Sequence, residues 1–164
     1  MRTPVAFLIY RRPDLTARVF EAIARAKPPV LLVVADGPKD AGEEARCAAA
    51  REVIEKVDWP CEVRRNYSDA NLGCRERVAT GLDWVFRQVE EAILLEDDCL
   101  PSPDFFAFCE AMLERFRNDD RVGHVSGSNS DRGRASRETS YYFSRYSTIW
   151  VWATWRRAWK DYDA

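Results

Sequence analysis

Three adjacent carboxylates, Glu96, Asp97 and Asp98, close the run Ala92-Ile93-Leu94-Leu95-Glu96-Asp97-Asp98. The apolar part reads as a buried strand, so the acids stand at its carboxyl end, where open α/β sheets bind ligands. Like charges this close raise one another's pKa unless a cation or solvent relieves them. A hard divalent ion such as Mg²⁺ or Mn²⁺ takes oxygen ligands, commonly one or two carboxylates together with substrate phosphates. Taken alone, the triplet fits a solvated loop before the next helix equally well.

Cations for an anionic ligand stand at another strand end. Arg11 and Arg12 precede Pro13, where a helix N-terminus also offers free N–H groups, and both features favour an anion such as a diphosphate. Asp36-Gly37-Pro38 is a turn whose carboxylate can accept from a base, a ribose or its own backbone. Asn71-Leu72-Gly73 opens a helix carrying Arg75, Glu76 and Arg77, able to present cations to the same sheet edge. His124 falls inside a strand candidate with no partner visible in the sequence and reads as structural. Tryptophan faces suit both a packed core and the C–H face of a pyranose. Trp150 and Trp152 share one side of an extended segment, and Trp155 and Trp159 share one side of a helix.

These residues need a framework, and short apolar runs alternating with helical periods describe βα units on a largely parallel sheet. The strand candidates are Val5 to Tyr10, Val30 to Ala35, Cys61 to Asn66, Ala92 to Leu95, Val122 to Ser126 and the short Tyr141 to Phe143. Leu15, Val19, Ala22, Ile23 and Ala26 recur at helical spacing behind Pro13 and Asp14, which mark a crossover helix. Further helices are expected over Glu43 to Lys56, Arg75 to Gln88 and Asp104 to Phe116, with a last one through Trp159. The arginine- and serine-rich stretch Asn129 to Thr139 reads as a mobile loop.

With 164 residues the chain is sized for one domain with a real core. Its 46% apolar and 32% charged residues exclude a disordered or collagen-like chain. The net charge of -2 argues against broad nucleic-acid or membrane-surface binding, so an anionic ligand has to be met locally. Five cysteines, an odd number without a C-x-x-C pair, argue against a zinc site or a disulfide framework. The N-terminus lacks the pattern of a signal peptide and no run is long enough to span a bilayer, so a cytoplasmic location is expected. The acceptor pattern Asn66-Tyr67-Ser68 then has no role.

Taken in order, Phe7-Leu8-Ile9-Tyr10-Arg11-Arg12-Pro13, Val34-Ala35-Asp36, Asn71-Leu72-Gly73, Ile93-Leu94-Leu95-Glu96-Asp97-Asp98, Pro103-Asp104-Phe105-Phe106 and the Trp150 to Trp155 segment resemble the GT-A glycosyltransferases. The resemblance is to the bacterial family 2-like proteins related to N-acetylglucosaminyltransferase I, and it runs from Pro4 to about Tyr162. It implies a Rossmann-like α/β fold with a largely parallel sheet and a metal-dependent, inverting transfer of sugar from a UDP-sugar. The acceptor would be a glycan, a lipid-linked molecule or a protein. By the same resemblance Asp98 contacts Mn²⁺ or Mg²⁺ in a DxD-like motif, and Glu96 and Asp97 lie near the ribose and the donor sugar. Arg12, with Arg11 beside it, meets the nucleotide; Asp36 recognises the uracil; Arg77 lines the nucleotide pocket; Trp150 and Trp152 face the acceptor. Residues 1–100 would form the nucleotide-sugar half of one domain. Residues 101–164 would form an acceptor half that is incomplete beside the family's longer chains.

The departure from the family lies in the base. Asp161 and Asp163 are the only late carboxylates, and Asp161 is the candidate. Two rival readings remain open: a donor- or partner-binding module without transfer, and a sugar nucleotidyltransferase. The latter calls for a glycine-rich loop after the first strand, and Tyr10 to Leu15 contains no glycine.

Overall fold

The computed structural model describes residues 1–128 and 139–162. The apolar runs become β1 (Val5–Ile9), β2 (Val30–Ala35) and β4 (Glu91–Glu96), joined by the charged β3 (Glu62–Tyr67), and all neighbouring pairs among the four run parallel. The sheet continues through β6 (Val151–Trp155), antiparallel to β4, to the two-residue β5 (Val125–Ser126), giving the order β3-β2-β1-β4-β6-β5. The fold is therefore α/β with a mostly parallel six-stranded sheet, as expected from the sequence.

Because β1, β2 and β4 are covered on both faces, nearly every position in them is apolar rather than every second one. Val5, Phe7, Leu31, Val33, Ile93 and Leu95 pack with α1 (Pro13–Ala26) and α4 (Phe105–Arg115). Ala6, Leu32, Val34, Ala92 and Leu94 pack on the other face with α3 (Cys74–Gln88). The outer strand β3 carries Arg64 and Arg65, paired with Glu62 and Glu55, which keeps this edge charged.

Helix boundaries follow local chemistry. Pro13 opens α1, and Lys27 closes it in the left-handed conformation at φ 51°, donating its N–H to Ile23 O. Asp40 caps α2 (Ala41–Glu52) by accepting from Gly42 N, and a 3₁₀ turn, Val53–Lys56, completes the helix expected over Glu43 to Lys56. Gly73, at φ 80°, sets the entry to α3. Gly81 inside α3 lets the helix rest on β2: a Cβ there would lie 2.5 Å from Val34 Cγ1.

Some expectations change. Tyr10 lies beyond β1, because its N–H leaves the ladder to bond Asp97. The strand expected from Val122 shrinks to Val125–Ser126, since the Val122 carbonyl is held by the Arg157 guanidinium and the Gly123 carbonyl by Thr154 Oγ1. Tyr141 to Phe143 forms no strand among the described residues; the Tyr141 and Phe143 rings pack edge-on to Phe116 at 6.0 and 5.5 Å between centroids. Trp155 ends β6 and enters the α1/α4 core, whereas Trp159, in α5 (Arg156–Trp159), joins the α3 core, so the two do not share one helix face. Residues 129 to 138 of the loop read from the sequence lie outside the described residues.

Overpacking at Gly81 gives a direct check on this layering. Gly81→Ala is expected to lower stability by about 1–3 kcal/mol, measured by thermal or denaturant unfolding.

Candidate functional site

The strand order reverses between β1 and β4, and in a parallel α/β sheet the crevice outside the carboxyl ends at such a reversal is where ligands bind. Tyr10 to Arg12 leave β1 there, and Glu96 to Asp98 leave β4 beside them. The side chains meet: Arg12 Nη2 donates to Asp97 Oδ1 at 2.5 Å and Nη1 to Asp98 Oδ2 at 2.9 Å, while the Tyr10 amide donates to Asp97 Oδ2 at 3.1 Å. Asp97 is 2% exposed, and Asp98 is open to solvent, its Oδ1 accepting only from the Cys99 thiol at 3.4 Å among the described residues.

The three acids feel different surroundings. Burial raises the Glu96 carboxyl most, and the Asp98 and Asp97 charges add to it. Burial also pushes Asp97 upward, against the pull of Arg12 and the Tyr10 amide. Burial lifts the Cys99 thiol to about 12, with the hydrogen bond to Asp98 second, so it stays protonated.

A second cluster adjoins the first. Asp36 is buried; its Oδ1 accepts from Gly37 N and Leu72 N at 2.9 Å, and its Oδ2 from Asn71 Nδ2 at 2.9 Å and Gly73 N at 3.1 Å. Four donors therefore use the lone pairs of this carboxylate to hold the turn that starts α3. Asn71 also donates to Tyr10 Oη and Gly37 O, both at 3.0 Å. Tyr10 Oη in turn donates to Glu43, a buried carboxylate that also accepts from Lys39 N at 3.1 Å and pairs with Arg11. Glu43, Tyr10 and Asn71 were not among the site residues taken from the sequence. The signal for Glu43 was present in Asp40-Ala41-Gly42-Glu43, whose D-x-x-E spacing marks a helix start.

The remaining candidates separate by position. Arg77 is 7% exposed and spans the ends of β2 and β3, donating to Ala35 O at 3.2 Å, to Asn66 Oδ1 at 2.7 Å and to Asn66 O. Trp150 immediately precedes β6, whose Val151 pairs with Leu95, so it stands beside the triplet, 64% exposed. Trp152 is packed instead: it stacks on His124 at 4.8 Å and 14°. His124 has its ordinary pKa lowered by burial, and as the neutral ring it donates Nε2–H to Thr148 O at 2.9 Å. Asp161 follows α5 at the edge where β4 begins. Its N–H donates to Ala158 O at 3.3 Å, and among the described residues no hydrogen bond or ion pair joins it to the triplet. Asp163 lies outside the described residues.

Whether oxygen ligands for a divalent ion are present can be judged from this donor set. Asp98 offers exposed carboxylate oxygens, and the Glu96 carboxylate accepts no hydrogen bond among the described residues, so both suit a hard ion. No group of three or more His, Cys, Asp or Glu side chains among the described residues forms a complete cage. Asp98 and Glu96 alone leave such an ion short of ligands, which water and a phosphate-bearing partner can supply.

No protein-family model matches the chain, and neither does any curated protein. A solved structure does. The 4-diphosphocytidyl-2C-methyl-D-erythritol synthase of Anaerococcus prevotii aligns over 95% of this chain and 72% of its own, with a TM-score of 0.54 and 13% identity. At that identity the likeness establishes the Rossmann-like fold. Among the described residues no helix is long and apolar enough to cross a membrane.

The strained carboxylate cluster predicts a pH signature. A raised folded pKa means the penalty is absent below the unfolded value and grows as pH rises through the folded value. Glu96→Gln should therefore raise the melting temperature of the metal-free protein at pH 7 by a few degrees and leave it unchanged near pH 4, at about the ordinary pKa of glutamate.

Proposed function

We propose that this edge of the sheet binds a nucleoside-diphosphate sugar, a UDP-sugar in the first instance, and that the protein is a metal-dependent glycosyltransferase. The observation that carries the reading is the meeting of Arg12 with the acidic triplet at the β1/β4 reversal. The Rossmann-like fold is compatible with it. The resemblance noted in the sequence supplies the preference for uridine and the expectation of inversion.

Asp98 would hold the divalent ion, with Glu96 beside it. When bound, that ion supplies Lewis-acid neutralisation of charge developing on the departing diphosphate. Arg12, 45% exposed, reaches the same charge, and the N–H groups at the start of α1 face the same crevice. Asp97 stays buried and fixes the register of the loops, taking the Tyr10 amide on one oxygen and Arg12 on the other. Asp36 and Arg77 act from below by shaping the floor of the nucleotide pocket. Trp150 offers a ring to a sugar at the acceptor side, where a glycan, lipid-linked or protein hydroxyl would approach.

Nucleotidyl transfer to a sugar or sugar alcohol is the second reading, favoured by the likeness to the synthase. Pyrophosphate release from CTP or UTP in the presence of a sugar phosphate would select it. Transfer from a UDP-sugar instead releases UDP.

Thermal unfolding with UDP and Mn²⁺ tests the donor reading. At about 100 times the dissociation constant, UDP should stabilise the protein by about 2.7 kcal/mol, and the gain should require the ion. Asp98→Ala should abolish the gain, and a shift that is independent of metal in wild type, or one that survives Asp98→Ala, would reject the metal site.

A further inference from the structure

The two arginines at the end of β1 are held in different ways. Arg11 pairs with Glu43, a buried carboxylate also tied to Tyr10 and Lys39, so its charge is committed to the loop. Among the described residues the Arg12 side chain is bound only to Asp97 and Asp98. Its backbone is pinned, with Pro13 following and its carbonyl accepting from Thr16 N and Thr16 Oγ1 at 2.8 Å each, whereas its side chain is 45% exposed. The guanidinium has a fixed base and a free path outward.

We propose that Arg12 is an exchangeable counter-ion: it bridges Asp97 and Asp98 in place of the metal and passes to the donor's diphosphate when metal and nucleotide arrive together. This rests on the donor-site reading above and adds to it a coupling between the two ligands. Asp97 and Asp98 share one guanidinium at this edge, with the Glu96 charge nearby. A divalent ion at Asp98 places its charge beside the Nη1 that bonds Oδ2, and so repels the arginine from the carboxylate. A diphosphate accepts that arginine through the same forked geometry that now grips the two carboxylates. Each ligand thereby lightens the cost of binding the other, which is thermodynamic coupling between sites.

Calorimetric titration of the full chain with Mn²⁺, in the absence and presence of saturating UDP, reads this coupling directly. In wild type, UDP should tighten Mn²⁺ binding by about tenfold or more. Arg12→Gln removes the competing charge but retains a donor for Asp97. It should tighten Mn²⁺ binding in the absence of UDP by about tenfold and shrink the UDP effect correspondingly. Arg12→Lys keeps the charge but cannot fork across both carboxylates, and should fall between the two. If wild type shows the UDP effect and neither variant binds Mn²⁺ more tightly, Arg12 is not the counter-ion and the donor reading stands. Equal tightening in both variants would point to a loosened loop rather than to charge, and would also overturn the proposal. If wild type binds neither Mn²⁺ nor UDP, the donor reading falls and the coupling with it.

Discussion

Carboxylates crowded at the end of a buried strand need positive charge within reach, and in this protein Arg12 supplies it from the neighbouring strand. The constraint is electrostatic. Asp97 is almost wholly removed from water, Glu96 is half-buried, and like charges on consecutive residues oppose ionisation of each. The parallel pairing of β1 with β4 places the residues after Ile9 beside those after Glu96. Had the strand order not reversed here, a crossover helix would have covered the gap instead of leaving a crevice. The fold and the charge cluster are thus one arrangement, since the topology opens the crevice and the ion pair closes its floor.

Around that pair a second set of buried acids does different work. Asp36 and Glu43 are each surrounded by donors, and they lock the loops after β1 and β2 to the turn that begins α3. A carboxylate with every lone pair used rigidifies its surroundings, whereas Glu96 and Asp98 retain unused or weakly held oxygens. Stability is concentrated beneath the crevice and binding capacity at its rim. Substitutions at Asp36 would accordingly act on folding before they act on any ligand.

The sequence made the sheet legible because β1, β2 and β4 are buried on both faces, so their residues form unbroken apolar runs that few other environments produce. The triplet and the arginines were legible as chemical types at strand ends. Partnership was less accessible. That Asp36 spends itself on Leu72 and Gly73, or that Glu43 holds Arg11, depends on contacts across more than thirty residues that no local pattern encodes. The aromatic alternation of Tyr141 to Phe143 resembled a strand, yet the Tyr141 and Phe143 rings pack on Phe116 and the segment joins no sheet among the described residues.

The central claim is that the β1/β4 crevice receives a nucleoside diphosphate and a divalent ion together at the acidic triplet. A crystal of the protein grown with UDP and Mn²⁺, with anomalous differences recorded at the manganese edge, tests it most directly. The account predicts one anomalous peak in contact with Asp98 and with phosphate oxygens of UDP. An occupied UDP with no manganese at the triplet, or manganese bound elsewhere while Arg12 still bridges Asp97 and Asp98, would contradict it.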